Sequence, residues 1–328
     1  MSFVGFKETV EEKDVVILYV GFNNLIPLQV VPKKENRKGV LEDHVIQTCY
    51  GALRVNALIG IRYGTRVQLS QPGAYVHVLK PTPELWTKCL PHRTQILYTT
   101  DASMIIAGLE LKSGSTVIES GTGSGSLSHA LARVIGPQGK LYTFDFHEER
   151  SQLASKEFES HGLTSVIASH RDVCSTGFGV DVEVDAVFLD LPHPWEAIPH
   201  ANKSLKALGR LCSFSPCIEQ VQKASLRMKE EGFEEIQTLE VLLREFQVRK
   251  IIQQTYDHDT ISNSESTPSS TNGNNSESEE NGEPPSKKVK KVTSESIPRK
   301  SFVTGLPLTT MPGHTGYLTF ATKPFINN

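Results

Sequence analysis

Cysteine is scarce in this chain: five residues among 328 (Cys49, Cys89, Cys174, Cys212 and Cys217), an odd number with no Cys-x-x-Cys pair. That excludes a disulfide framework and a zinc site built on cysteine, and it suits a reducing compartment. No apolar run approaches the ~18 residues a membrane-spanning helix requires. The first fourteen residues carry charge where a secretory leader would be apolar. No two of the eleven histidines stand four apart on a helix beside an acid, so no metal site is expected. A basic excess is missing too, since 34 Lys and Arg against 37 Asp and Glu leave a net charge of −3. A chain that grips nucleic acid alone usually shows surplus cations, so such a partner must be met by a local patch or another subunit.

Four zones divide what is present. Residues 1–80 alternate β-branched or aromatic runs (Val15 to Val20, Leu28 to Val31, Arg66 to Leu69, Tyr75 to Leu79) with turns such as Gln71-Pro72-Gly73. This is the pattern of a small β-barrel or sandwich. Residues 81–253 alternate strands (Ser115 to Glu119, Leu141 to Asp145, Asp185 to Asp190) with helices (Leu127 to Ile135, Glu148 to Ser160, Trp195 to Leu208, Ile218 to Glu230). Such alternation predicts an α/β fold, a parallel sheet with helices on both faces. Residues 254–310 are rich in Ser, Asn, Glu, Thr and Pro, acidic first and then basic at Lys287-Lys288-Val289-Lys290-Lys291. An insertion of that composition is predicted to stay unfolded. Residues 311–328 hold one more strand, Gly316 to Thr322, predicted to pair with Val241–Arg249 across the insertion and complete the sheet.

The chemistry concentrates at Glu119-Ser120-Gly121-Thr122-Gly123-Ser124-Gly125-Ser126-Leu127. A strand ends in an acid, turns through glycines and opens a helix, so that bare backbone and free N–H groups can meet a ligand. Nicotinamide-, flavin- and S-adenosylmethionine-binding folds all use such a turn. The dinucleotide pattern G-x-G-x-x-G would need glycine at 126, where Ser126 stands. Asp145 closes the next strand, placed to grip ribose hydroxyls in either class. Two further strand ends face the same crevice: Asp172-Val173, whose carboxylate could accept from an adenine amino group, and Asp190-Leu191-Pro192-His193-Pro194-Trp195. Asp190 reads either as a helix cap or as a carboxylate that meets the substrate where methyl transfer occurs.

Longer stretches carry a resemblance. Glu119 to His129, Pro81 to Trp86, Pro91 to Asp101, Cys212 to Gln222 and His314 to Lys323 are similar to the catalytic subunit of the eukaryotic tRNA (adenine-N1)-methyltransferases. The resemblance covers nearly the whole chain outside the insertion. It implies a class I (Rossmann-like) methyltransferase domain behind an N-terminal β-barrel, S-adenosylmethionine as cofactor, and the T-loop adenosine at tRNA position 58 as target. It also implies a heterotetramer of two catalytic chains and two homologous, non-catalytic, tRNA-binding chains. Extra residues, Val45 to Leu58, separate His44 from Ile59-Gly60, and Asp145 stands where the family often has Glu.

Site roles follow from the same resemblance. The cradle runs from Glu119 and Ser120 through Gly121, Thr122, Gly123, Ser124, Gly125 and Ser126 to Leu127. Asp145 and Phe146 hold adenosine, Asp172 and Val173 hold the adenine edge, and Gln95 and Arg150 match cofactor-side positions. Asp190 is the catalytic candidate and also lines the cofactor site; Tyr98 stacks on the target base. His92, Arg93, Pro192 and His193 are expected against tRNA, with Tyr98. Lys287 to Lys291 reads as a nuclear localisation signal, so the expected compartment is the nucleus. A nicotinamide-dependent oxidoreductase and a catalytically inactive RNA-binding scaffold are the other readings. Ser126 speaks against the first; the glycines with Asp145, Asp172 and Asp190 speak against the second.

Overall fold

Alternation sets the N-terminal domain. In strand β1 (Val15–Gly21), Val16 and Leu18 are fully buried in one apolar core, while Val15 faces the other way onto Trp86, Leu90 and Ile96. The computed structural model describes residues 3–21, 23–36, 38–254, 299–310 and 314–325, so the basic run at Lys287 to Lys291 lies outside the described residues. The chain divides into two compact units, Met1–Leu242 with Pro312–Asn328, and Leu243–Met311.

In the first unit, β1 pairs antiparallel with β2 (Asn24–Gln29). Two short ribbons follow, β3 (Lys33–Glu35) with β4 (Leu41–Asp43) and β5 (Val45–Thr48) with β6 (Gly51–Arg54). Strands β7 (Arg66–Gln68) and β8 (Tyr75–Leu79) complete a four-stranded sheet ordered β2-β1-β8-β7. The extra residues Val45 to Leu58 are that second ribbon and the turn after it; they bury Leu53, Val55 and Leu58 in the same core as Val16 and Val76.

Helices α1 (Pro83–Cys89) and α2 (Thr99–Gly108) lead into the second sheet. Its elements are β9 (Thr116–Ser120), α3 (Ser126–Ile135), β10 (Lys140–Asp145), α4 (Glu148–His161), β11 (Val166–His170), α5 (Val173–Thr176) and β12 (Val184–Leu189). They continue with α6 (Pro194–Ser204), β13 (Leu205–Ser215), α7 (Ile218–Glu230), β14 (Glu234–Glu240) and, after the second unit, β17 (Tyr317–Thr322). Strand order is β11-β10-β9-β12-β13-β17-β14, parallel except that β17 runs antiparallel to both neighbours. Val187 and Leu189 pack under α6 and α7 while Ala186 and Phe188 pack on the opposite face. That is why Val184–Leu189 is nearly all apolar. Order reverses between β9 and β12, so ligands are expected at the carboxyl ends of those two strands.

Three expectations are corrected. The strand beside β17 is β14, Glu234–Glu240, not Val241–Arg249. The segment beyond it instead forms β15 (Phe246–Gln254), which pairs with β16 (Arg299–Pro307) as a nine-residue ribbon in the second unit. The unfolded insertion expected over 254–310 therefore has a strand at its far end, where Phe302, Val303 and Leu306 supply β-forming residues. Helix α6 stops at Ser204 rather than Leu208, because fully buried Leu205 already pairs with Val184 in the sheet.

Candidate active site

The glycine-rich turn sits at the switch point and is held from three sides. Gly121 and Thr122 donate backbone N–H groups to the Phe144 carbonyl, and the Gly123 N–H reaches the Asp145 carboxylate at 3.0 Å. Two glycines are dictated by space and conformation. At Gly121 (φ 102°) a Cβ would come within 2.3 Å of the Asp190 carbonyl oxygen, and at Gly123 (φ 52°) within 2.6 Å of Thr94 Oγ1. The Ser124 hydroxyl accepts from the backbone N–H of Arg93 (2.8 Å) and Thr94 (3.1 Å), and Ser126 Oγ donates to the Leu97 carbonyl (3.0 Å). These bonds stitch the stretch before α2 against the turn, which sets exposed Gln95 and half-exposed Tyr98 beside it.

Three acids converge behind the turn, and their environments differ. Asp145 is buried and saturated: it accepts from Gly123 N, from His147 N (2.9 Å), and from Arg150 through Nε (3.0 Å) and Nη2 (2.8 Å). The structure thus joins two residues that sequence reasoning placed on the cofactor side. Glu119 is 1% exposed and accepts from Ser128 Oγ at 2.6 Å. Burial pushes its carboxyl up to about 7 against the hydrogen bonds from Ser128 and Thr143, and the charges of Asp190 and Asp145 add to the rise. Asp190 closes the cluster. Its backbone N–H donates to Ser120 O at 2.8 Å, and burial pushes its carboxyl up to about 6. No donor among the described residues reaches that carboxylate.

Capping separates Asp172 from Asp190. Asp172 is the N-cap of α5, accepting from Cys174 N (3.1 Å) and from Ser175 Oγ (2.6 Å), whose hydroxyl is the main cause holding its carboxyl below the usual range. Asp190 caps nothing, since the N-cap of α6 is His193. Val173 is buried, whereas Phe146, at 63% exposed, presents its ring beside the end of β10. His92, Pro192 and His193 are exposed.

Arg93 is not placed as expected. Its guanidinium turns inward, bonding Glu157 Oε2 (3.2 Å) and the Ser124 carbonyl (3.1 Å), with 17% of the side chain exposed. A cation spent on a buried carboxylate is not available to a phosphate.

Behind Arg93 lies a cluster that sequence reasoning missed. His129 Nδ1 donates to the Gly125 carbonyl (2.6 Å), which leaves Nε2 to accept from His161 Nδ1 (2.8 Å). Burial pushes His129 down to about 4 and His161 to about 3, so both rings are neutral at physiological pH. Phe3 stacks on His161 (4.5 Å) and Trp86 meets it edge-on (4.7 Å). The ligand atoms of His129, Glu157 and His161 lie within 4.8 Å of one another, the kind of grouping that can hold a metal. Here His129 bonds Gly125 and His161, and Arg93 takes Glu157 Oε2 while Oε1 has no donor among the described residues; the cluster braces the turn. Its two histidines come from different helices, so spacing along one helix could not reveal the pair. The one sequence signal was His129 closing the long glycine-rich motif.

A parallel sheet with this order, a glycine cradle at the switch point and acids at three successive strand ends define a class I, Rossmann-like methyltransferase fold. Comparison with known proteins then fixes the family. Residues 74–323 match the family described as the tRNA methyltransferase complex GCD14 subunit, and the chain belongs to it. Among curated relatives, the chain is 48% identical over 238 residues to the tRNA (adenine(58)-N(1))-methyltransferase catalytic subunit TRM61 of Cryptococcus neoformans, covering 72% of this chain and 53% of that protein. It is 41% identical over 317 residues to the corresponding protein of Dictyostelium discoideum, covering 95% and 96%. The chain therefore spans about half the length of the fungal relative and nearly all of the Dictyostelium one. Two solved structures share the fold: a SAM-dependent O-methyltransferase of Thermotoga maritima (TM-score 0.69, 25% identity, 98% of this chain and 97% of that one) and the tRNA (m1A58) methyltransferase TrmI of Aquifex aeolicus (TM-score 0.63, 21%, 97% and 100%).

Proposed function

We propose that this chain is the catalytic subunit of a tRNA (adenine-N1)-methyltransferase, using S-adenosylmethionine to methylate N1 of the T-loop adenosine at position 58. The observation that carries the reading is Asp190, a part-buried carboxylate with no donor among the described residues, standing against Gly121 at the switch point. Burial that raises this carboxyl without a donor to offset it works against stability, so the group is not kept for the fold.

The residues fit the cofactor. The missing Cβ at Gly121 and Gly123 lets Asp190 and Thr94 close onto the turn, and Asp145 and Phe146 end the strand beside it. Asp190, with no cation paired to it among the described residues, favours a cationic ligand over the anionic pyrophosphate of a dinucleotide, which disfavours the oxidoreductase reading. When bound, S-adenosylmethionine supplies a methyl group on a positively charged sulfur. Adenine N1 has an in-plane lone pair and needs no covalent enzyme intermediate. Asp190 would accept from the exocyclic amino group, orient the ring, and stabilise the positive charge that grows on the base as N1 is alkylated. N1 lies on the Watson–Crick edge, so the nucleotide must flip at a cost of a few kcal/mol. Stacking on the half-exposed Tyr98 ring would return about 1–3 kcal/mol.

A second, tRNA-binding subunit completes the proposal. The net charge of −3 offers few phosphate contacts, and β15 and β16 expose Val248 (76%), Ile252 (66%) and Val303 (69%), apolar side chains suited to a protein partner. A nuclear address at Lys287 to Lys291 agrees with tRNA maturation. The test is transfer of labelled methyl to unmodified tRNA carrying A or G at position 58, by this chain alone and with its partner. Label on the A form only, and only with the partner, is expected. Cofactor binding with no label on either tRNA contradicts the assigned substrate.

A further inference from the structure

The outer face of the N-terminal sheet carries a feature that the methylation pocket does not use. Across the strands, Tyr19 of β1 pairs with His77 of β8, and His77 pairs with Arg66 of β7. Their side chains share one face. The Tyr19 and His77 rings stand 6.2 Å apart, Tyr75 meets His77 edge-on at 5.5 Å, and the Arg66 guanidinium lies over the Tyr75 ring at 4.4 Å. Tyr75 is 43% exposed and Arg66 is exposed. No carboxylate pairs with Arg66 among the described residues. The strands β1, β2, β7 and β8 contain no Asp or Glu at all.

We infer that this row is a second RNA-binding surface, which takes unpaired bases and an adjoining phosphate of the tRNA substrate outside the methylation pocket; the inference rests on the proposed function. Ring chemistry favours RNA. Every base presents a π-face to stack on a tyrosine or histidine, without needing sequence or charge. Arg66, lying over the Tyr75 ring, offers a cation to a phosphate with no acid on the four strands to oppose it. The surface thus meets a polyanion with few cations, which is what the −3 net charge requires.

Placement supports the assignment. At its Val15 end the same face is covered by Trp86, Leu90 and Ile96, and Ile96 is two residues from Tyr98 beside the pocket. Tyr19 lies four residues further along the strand, ~13 Å away. The uncovered row therefore begins where the pocket-forming segment ends, within reach of one folded RNA that also inserts a base. A protein partner is the alternative occupant, but the face offers mixed rings and one cation rather than the aliphatic surface that β15 and β16 present.

The experiment measures tRNA affinity and steady-state methylation by the full chain, in the assembly in which it methylates tRNA. The variants are Arg66→Ala, the pair Tyr19→Ala with Tyr75→Ala, and Tyr75→Phe, each checked by cofactor binding for an intact fold. The double variant is expected to bind tRNA about tenfold or more weakly and raise KM for tRNA, with kcat and cofactor affinity within twofold. Tyr75→Phe should retain wild-type affinity. Arg66→Ala, on the surface and safe for folding, should reduce the slope of log affinity against log salt by about 0.7–0.9. Unchanged tRNA affinity in Arg66→Ala and the tyrosine pair, with methylation intact, overturns the surface and leaves the active-site reading standing. Loss of subunit association with tRNA affinity unchanged also overturns it and makes the face a protein interface. Cofactor binding without any tRNA binding by the wild-type assembly removes both readings together.

Discussion

Replacing Asp190 by asparagine keeps the shape and removes the charge, which should make the protein more stable and nearly inactive. Burial raises this carboxyl from 3.8 to about 6. At 1.36 kcal/mol per pKa unit, ionising it in the folded state costs about 3 kcal/mol at most. The sign follows from linkage. Below pH 4 the folded and unfolded chains both hold the proton and the penalty is absent. It grows between pH 4 and 6 and is complete above pH 6. At pH 8, Asp190→Asn should therefore gain up to about 3 kcal/mol, or about 6–12 °C in Tm at 2–4 °C per kcal/mol, and at pH 4 almost nothing. Methyl transfer should fall about 100–1,000-fold, the usual loss when a group aimed at developing charge is removed. Thermal melts at both pH values, calorimetric cofactor binding and single-turnover transfer read all three quantities. Cofactor affinity should stay within severalfold. A variant less stable than wild type at pH 8, or one that loses affinity as steeply as rate, would refute the reasoning and reassign Asp190 to the cofactor or the fold.

Other outcomes follow from the same geometry. Transfer rate should decline below about pH 6, tenfold per unit, as Asp190 takes up a proton, and a pH–rate profile should show that limb absent in Asp190→Asn. Gly121→Ala forces a Cβ to within 2.3 Å of the Asp190 carbonyl in a left-handed backbone, so cofactor binding measured by calorimetry should be lost and stability reduced by about 1–3 kcal/mol. Glu157→Gln removes the charge that holds Arg93, and melts should show lower stability together with weaker cofactor binding as the turn loosens. The isolated chain should bind tRNA poorly in ~150 mM salt; tight binding by filter assay would contradict the shared-surface reading.

The legible parts of this molecule were those written in local pattern. The turn from Glu119 to Leu127, the buried run of β12 and the acid ending β10 each announce themselves within a few residues, because alternation, glycine and strand-end acids act locally. Partners chosen at long range did not. Strand β17 could pair with either flank of the segment after α7, and both Glu234–Glu240 and Phe246–Gln254 are β-forming; only register against the sheet decides between them. Arg93 beside His92 reads as a surface cation until Glu157, on a helix 64 residues later, draws it inward. Asp172 and Asp190 look alike in sequence, each an acid at a strand end, and differ because Ser175 and the amides of α5 satisfy one while burial without a donor raises the other.

The most direct measurement is nucleoside analysis of unmodified tRNA after incubation with S-adenosylmethionine and the assembled enzyme, by liquid chromatography and mass spectrometry. One 1-methyladenosine per tRNA, located at position 58 and reduced at least a hundredfold with Asp190→Ala while cofactor still binds, is the expected result. A different methylated nucleoside, or 1-methyladenosine formed equally well by Asp190→Ala, would contradict the assignment of the reaction to this carboxylate.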